Sequence, residues 1–468
     1  MVDDALLLAH GGDQGEAAVI GLGRSGRAAA TVLAARGRAV YASDAGSGEA
    51  LEKVAKELRK AGVAVDLGGH DLARIARAAL AVASPGIPPT APPIRAALDA
   101  GVAVVGEVEI ALRMLQRLRY IAVTGSNGKT TTTTLIGRML QAVGRRAATV
   151  GNIGTPIVEL ALQHRPPEWA ALELSSFQLH DTPSIAPTVG VLTNLSPNHL
   201  DRYESVGAYY ADKRLLFQNA AHDSKWVVNR DDSDVCEMIA GVPGEQRWFS
   251  LRAPADAYYD SRRRRLIVLG DPLLTREELP LLGDHNVANA LAAALAVMVA
   301  DPAHRTPQAR AKIAEVLRTA KPLPHRIEPV GDAGGLTWID DSKSTSVAAT
   351  LVALQGMTRR AVVLLGGRHK GEPYTALIPE LKRVARAVVA YGEAGELIER
   401  DLGDAVPVTR VVGTFDDVVA HGRSLARSGD VLLLSPACSS YDMFANYEER
   451  GAAFARLARA SAGAASHA

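Results

Sequence analysis

The chain is poor in cysteine, with 2 in 468 residues, and poor in aromatics, at 4%. Cys236 and Cys438 stand far apart, with no CxxC spacing and no Cys/His cluster, which argues against a structural zinc site and for a reducing compartment. No stretch of about 18 uncharged apolar residues occurs, so no membrane span is expected. The short apolar run LLLA near the N-terminus follows two acids, whereas a signal peptide needs a basic start and a longer apolar region. A cytoplasmic location is expected. Charge of one sign is lacking too: 52 Lys+Arg against 51 Asp+Glu leave a formal charge of +1, so the totals predict neither nucleic acid nor a membrane surface as partner.

What is present is the balance of a globular protein, 47% hydrophobic and 22% charged. At this length the chain exceeds a single core, and about three domains are expected. Ala17–Gly21 reads as a strand, Arg27–Arg36 as a helix and Ala39–Ser43 as a second strand; Ala79–Ser84 is a further strand, and the segment closes near Leu118. A second segment opens with the strand Tyr120–Thr124 and the helix Thr130–Val143, and continues with strands at Trp169–Leu174 and Val189–Thr193 that end in polar residues. Ligands of open parallel sheets sit beyond such carboxyl ends. The helix Asn286–Ala300 and a proline-bearing connection, Asp301–Lys321, lead to a third α/β unit with strands at Leu336–Ile339, Ala361–Leu365, Ala387–Tyr391 and Val431–Leu434.

Gly125-Ser126-Asn127-Gly128-Lys129-Thr130-Thr131 lies between a strand and a helix. Glycines let backbone N–H groups close on phosphate oxygens, the helix N-terminus adds positive potential, the lysine reaches the outer phosphates, and a threonine hydroxyl meets magnesium. This is a nucleoside-triphosphate loop, although only two residues separate its glycines where the general pattern has four. Gly21-Leu22-Gly23-Arg24-Ser25-Gly26 matches GxGxxG, and Asp44 ends the next strand about 20 residues on. Two ligands stay open for this loop: a dinucleotide, or the diphosphate of another nucleotide with its ribose on the acid.

An ordered series follows: GNIGTP at 151–156, ELSSFQL at 173–179, Thr193-Asn194, HLDRY at 199–203, GDHN at 283–286 with Asn289, LPHR at 323–326, DSK at 341–343 and LSPACSS at 434–440. From Gly21 to Phe454 the chain resembles the Mur ligases, and within them the glutamate-adding branch. Folylpolyglutamate synthases share the phosphate loop. The resemblance implies three α/β domains: a Rossmann-like UDP-substrate-binding domain, 1–118; a central P-loop ATPase-like parallel-sheet domain, 119–321; and a Rossmann-like glutamate-binding domain, 322–468. It implies an ATP-dependent ligase that activates the carboxylate of UDP-N-acetylmuramoyl-L-alanine as an acyl phosphate and joins it to D-glutamate in peptidoglycan precursor synthesis. A carboxylate needs this activation because oxide is a poor leaving group, and the catalysis is mostly positioning and charge neutralisation.

The resemblance assigns roles residue by residue. Lys129, Glu173, His199 and Lys213 are catalytic; Thr130, Glu173, His199 and Lys213, the last as a carbamate, hold two Mg2+ ions. ATP would meet Gly125 to Thr131, Asn286, Arg326 and Asp341, the last three bringing the adenine side and the third domain to the nucleotide. The UDP substrate would meet Arg24, Ser25, Asp44, Ser84, Asn152 and His199. Glutamate would meet Thr345, Lys370, Ser440 and the backbone around Tyr447. A monomer is expected. Ala45 stands where a hydroxyl residue is frequent, and Arg368-His369 stand before Lys370 where Asp-Gly is common. His180 is read as a surface residue and Cys438 as a packed one. Competing readings are another amino-acid ligase such as a folylpolyglutamate synthase, an NAD-dependent dehydrogenase read from GLGRSG alone, and a non-catalytic nucleotide-gated module.

Overall fold

Apolar runs such as AAVI, LAVA and VLLL, each ended by glycine or a small polar residue, build three twisted sheets, one per segment. The computed structural model describes residues 15–198 and 202–465. The first sheet is wholly parallel, in the order Ala64–Leu67, Val40–Asp44, Ala17–Ile20, Leu80–Ala83, Val104–Gly106. The order reverses at Ala17–Ile20, where the glycine loop leaves the sheet, and such a reversal opens a crevice for a ligand. Gly26 lets the helix Arg24–Ala35 start against the loop, because a Cβ there would lie 1.8 Å from the Gly21 carbonyl oxygen.

Among the described residues the second sheet has nine strands, with the phosphate-loop strand Arg119–Thr124 between Val189–Leu192 and Trp169–Glu173. Expected to be parallel, it carries an antiparallel edge: Arg265–Val268 runs against both Ala257–Asp260 and Asp271–Thr275. The tight turns there use left-handed backbone at Arg264, Leu269 and Gly270. A second correction concerns Asp301–Lys321, which is no mere connection but carries the helix Pro307–Arg318. Its proline needs no N–H at the first helical position, and the Thr306 hydroxyl accepts from Ala309 N at 3.2 Å.

Among the described residues the third sheet has six strands, antiparallel only between Glu328–Ala333 and Leu336–Asp340. Along Ala361–Gly366 the residues alternate between two apolar clusters, Val363 and Leu365 on one face and Val362 and Leu364 on the other, so both faces are covered.

The chain divides into two compact units: one runs through Glu278 and resumes at Ala288–Arg318, the other comprises Leu279–Val287 and Thr319–Ala468. The first two sheets share the first unit and one apolar cluster, with members from Ala17 to Ile239. Their junction is polar as well. The buried Glu107 and Glu109 carboxylates accept from Val158 N at 3.1 Å and Ser184 N at 2.9 Å, and Gly106 N donates to the Asp181 carbonyl at 2.7 Å. Among the described residues no helix is long and apolar enough to cross a membrane.

Candidate active site

The phosphate loop is clamped from the neighbouring strand end. Thr193 Oγ1 and Asn194 Nδ2 donate to the Asn127 carbonyl at 2.6 and 3.0 Å, while Asn194 Oδ1 accepts from Asn127 N at 2.9 Å. Ser126 Oγ donates to the Ser196 carbonyl at 2.8 Å. Gly128 caps the helix Lys129–Ala142 in a left-handed conformation, φ +82°, and a Cβ there would lie 2.2 Å from Asn289 Oδ1. Any side chain at this position would displace Asn289. The helix N-terminus thus opens at the loop with its half-positive charge, and Thr130 and Thr131 sit in its first turn.

Two lysines meet at one carbonyl. Lys129 Nζ donates to the Gly125 carbonyl at 2.9 Å and to that of Ser126 at 3.0 Å, and Lys213 Nζ donates to the Gly125 carbonyl at 2.8 Å. Lys213, on the helix Val206–Arg214, is 1% exposed and stands 4.6 Å from the centroid of the Tyr209 ring. Burial first, and then the Lys129 ammonium, hold its amine well below the ordinary lysine range.

Glu173 closes the strand beside the loop strand. It is 1% exposed; one carboxylate oxygen accepts from Asn152 Nδ2 at 2.8 Å, and the other is buried with no partner among the described residues. A buried carboxylate oxygen with no partner among the described residues is a hard-oxygen donor, which fits Mg2+. Glu173 and Thr130 would hold the ion. His199 lies outside the described residues.

Of the expected UDP-substrate residues, Asp44 caps the glycine loop: its two oxygens accept from Leu22 N at 2.7 Å and Gly46 N at 2.8 Å. Ser84 Oγ donates to the Gly21 carbonyl at 3.0 Å, Ser25 lies in the first turn of the helix Arg24–Ala35, and Arg24 Nη2 donates to the Asn152 carbonyl at 3.3 Å. These residues and the phosphate loop lie within one unit.

The second unit gathers the expected glutamate residues. Lys370 Nζ donates to Thr345 Oγ1 at 3.1 Å, and Arg368 pairs backbone to backbone with Ser439, next to the buried Ser440. Arg368 forms an exposed ion pair with Glu393, and His369 Nδ1 lies 3.0 Å from Tyr374 Oη, so the two bulky residues point to partners of their own. Tyr447 offers its carbonyl to Ser342 Oγ at 2.8 Å. Asn286 Nδ2 donates to the Leu282 carbonyl at 2.8 Å. Asp341 is buried and engaged, accepting from Ser435 Oγ at 2.7 Å and Ile327 N at 3.2 Å; burial pushes its carboxyl up to about 6, against the opposing pull of Ser344, Ser435 and the Arg326 guanidinium. Arg326 stands between His325 and Ile327, both with positive φ, and its Nε is buried without a partner among the described residues.

Sequence reasoning missed Arg450. This side chain is 1% exposed and donates to Ser342 Oγ at 3.0 Å and to the carbonyls of Ser342 at 2.9 Å and Cys438 at 3.1 Å, tying the DSK and PACSS loops together. In sequence it is one arginine of a solvated-looking YEER turn, and only its burial sets it apart. The Thr193–Asn194 clamp was visible as a motif but not as a clamp. His180, read as surface, is half exposed and pairs with Asp212 at 2.9 Å; Cys438 is buried, with Sγ 2.9 Å from Tyr374 Oη.

A phosphate loop, an acid with an oxygen unpartnered among the described residues, and a buried lysine on the first unit are equipment of an ATP-dependent ligase, and the second unit by itself carries Lys370 beside Thr345. The chain belongs to the Mur ligase family: the Mur ligase MurD-like N-terminal domain matches residues 15–106, the Mur ligase middle domain 123–297 and the Mur ligase glutamate ligase domain 325–438. It is 38% identical to the UDP-N-acetylmuramoylalanine--D-glutamate ligase of Acidobacterium capsulatum, with 96% of each chain covered. It is 41% identical to the enzyme of the same name from Chromobacterium violaceum, covering 93% of this chain and 95% of the relative. Among solved structures, MurF from Acinetobacter baumannii shares the fold with a TM-score of 0.57 at 17% identity, over 90% of this chain and 91% of its own. A pseudomurein peptide ligase type C from Methanothermus fervidus does so with a TM-score of 0.56 at 20% identity, over 90% and 97%.

Proposed function

We propose that the protein joins D-glutamate to UDP-N-acetylmuramoyl-L-alanine at the expense of ATP, through an acyl phosphate, in peptidoglycan precursor synthesis. The observation that carries this reading is the convergence of Lys129 and Lys213 on the Gly125 carbonyl, in a chain matched along nearly its whole length by ligases of that name. The loop amides and Lys129 receive the triphosphate. The substrate carboxylate attacks the terminal phosphoryl group, and ADP leaves. The amine of glutamate then attacks the acyl carbon, and phosphate leaves as the tetrahedral species collapses. Glu173 and Thr130 would hold Mg2+, which would supply neutralisation of phosphate charge; His199 would hold a second ion, and Lys213 would carry the carbamate. Arg24, Ser25, Asp44, Ser84 and Asn152 take the UDP end, Asn286, Arg326 and Asp341 the nucleoside of ATP, and Thr345, Lys370, Ser440 and Tyr447 the amino acid.

Phosphate release with UDP-N-acetylmuramoyl-L-alanine is expected with D-glutamate and not with L-glutamate; release that depends on a folate instead would overturn the substrate assignment. Lys370→Ala is expected to raise the glutamate KM about ten- to a hundredfold, the worth of one charge-assisted hydrogen bond of about 1.5–3 kcal/mol. Calorimetric binding of an ATP analogue and of the UDP substrate should stay unchanged. Loss of nucleotide binding with an unchanged glutamate KM would move Lys370 to the phosphate site.

A further inference from the structure

We propose that Asn152 is a positioning residue for the metal at Glu173, separate from its expected contact with the UDP substrate. The inference rests on the metal-dependent ligase reading above. Asn152 holds Glu173 at two points: its backbone N donates to the Glu173 carbonyl at 3.0 Å, and its side-chain Nδ2 donates to the Glu173 carboxylate at 2.8 Å. The approach is close because Gly151 has φ +106°, and a Cβ there would lie 2.3 Å from the Glu173 carbonyl oxygen.

The consequence is an unsymmetrical carboxylate. One oxygen is satisfied by an amide donor, and the other is buried and unpartnered among the described residues. A carboxylate with no donor is free to turn about its last torsion. One amide donor fixes the plane, so a single lone oxygen is left for a cation. Amide donors behind metal-ligating carboxylates act in this way, and their loss typically weakens metal binding by about ten- to a hundredfold. Arg24 of the glycine loop donates to the Asn152 carbonyl at 3.3 Å. That contact reaches the Asn152 backbone and not its amide group, so Arg24 and Glu173 are held by different atoms of one residue.

The test is Mn2+ binding by the protein with nucleotide and UDP substrate both left out, read from the loss of the free-ion paramagnetic resonance signal. The full-length protein is expected to bind Mn2+. Asn152→Ala should bind it about ten- to a hundredfold more weakly, Asn152→Ser should fall between, and Arg24→Ala should match the parent. Asn152 is itself exposed, so Asn152→Ala opens no cavity in the core, and thermal melting of the variant checks that it stays folded at the assay temperature. In turnover at saturating UDP substrate, excess Mg2+ should restore the Asn152→Ala kcat, which a purely substrate-binding role would not allow. Parent-like Mn2+ affinity in Asn152→Ala, or equal weakening in Arg24→Ala, overturns the positioning role alone. A parent protein that binds no Mn2+ while Glu173→Gln behaves identically overturns the metal reading beneath it.

Discussion

Lys129→Ala is expected to reduce ATP-dependent phosphate release by about a thousandfold while the protein stays folded. The ammonium is held over the loop by the Gly125 and Ser126 carbonyls, at 2.9 and 3.0 Å, where a bound phosphate would meet its charge. The transferring phosphoryl group spreads charge over its outer oxygens, and removing one preorganised donor aimed at developing charge costs about 10²–10³ in rate. Loss of the point charge itself places the effect at the upper end. The side chain is only half-buried, so melting should move little. Near-parent turnover in a folded Lys129→Ala protein would remove the loop from the chemistry.

How much of this was legible in the sequence differs from residue to residue. Strands such as Val431–Leu434 were legible because a short apolar run ended by a turn has few other solutions. The glycine loops were legible because positive φ at Gly21, Gly125 and Gly128 and close approach at Gly26 demand glycine there. The antiparallel edge at Ala257–Thr275 was not. Its strands are short, and the arginine run 262–265 fills the turn and only the first position of Arg265–Val268, so the stretch reads as a solvated charge run. The helix Pro307–Arg318 was hidden by a proline that breaks a helix interior but suits its first turn. In the site, the side chains proposed to touch substrate lie in motifs and could be named. The groups that hold them, Arg450 above all, act through carbonyls from distant segments, and nothing local in the sequence records which carbonyls those are.

Lys213→Ala is expected to lose turnover by about 10²–10³, the scale for removing one electrostatic element of such a site, and to regain part of it in acetate. The native side chain is 1% exposed and shares the Gly125 carbonyl with Lys129, so two cations face each other where burial already disfavours charge. Both effects hold its pKa well below the ordinary range, burial being the larger. A neutral amine can attack carbon dioxide: the nitrogen lone pair forms the N–C bond, one C–O π pair moves onto oxygen, and an N–H proton passes to solvent. The product is a carbamate anion, which turns repulsion with Lys129 into attraction and offers oxygen to a cation that an ammonium would repel. In Lys213→Ala the Gly125 carbonyl still accepts from Lys129, so the loop keeps its shape, and the vacated space admits a short carboxylate. Turnover measured against acetate concentration should rise and saturate for Lys213→Ala alone. The parent should slow when carbon dioxide and bicarbonate are removed. Full activity of Lys213→Ala without any added carboxylate would exclude an anion at this position and leave Lys213 as a buried strut of the loop.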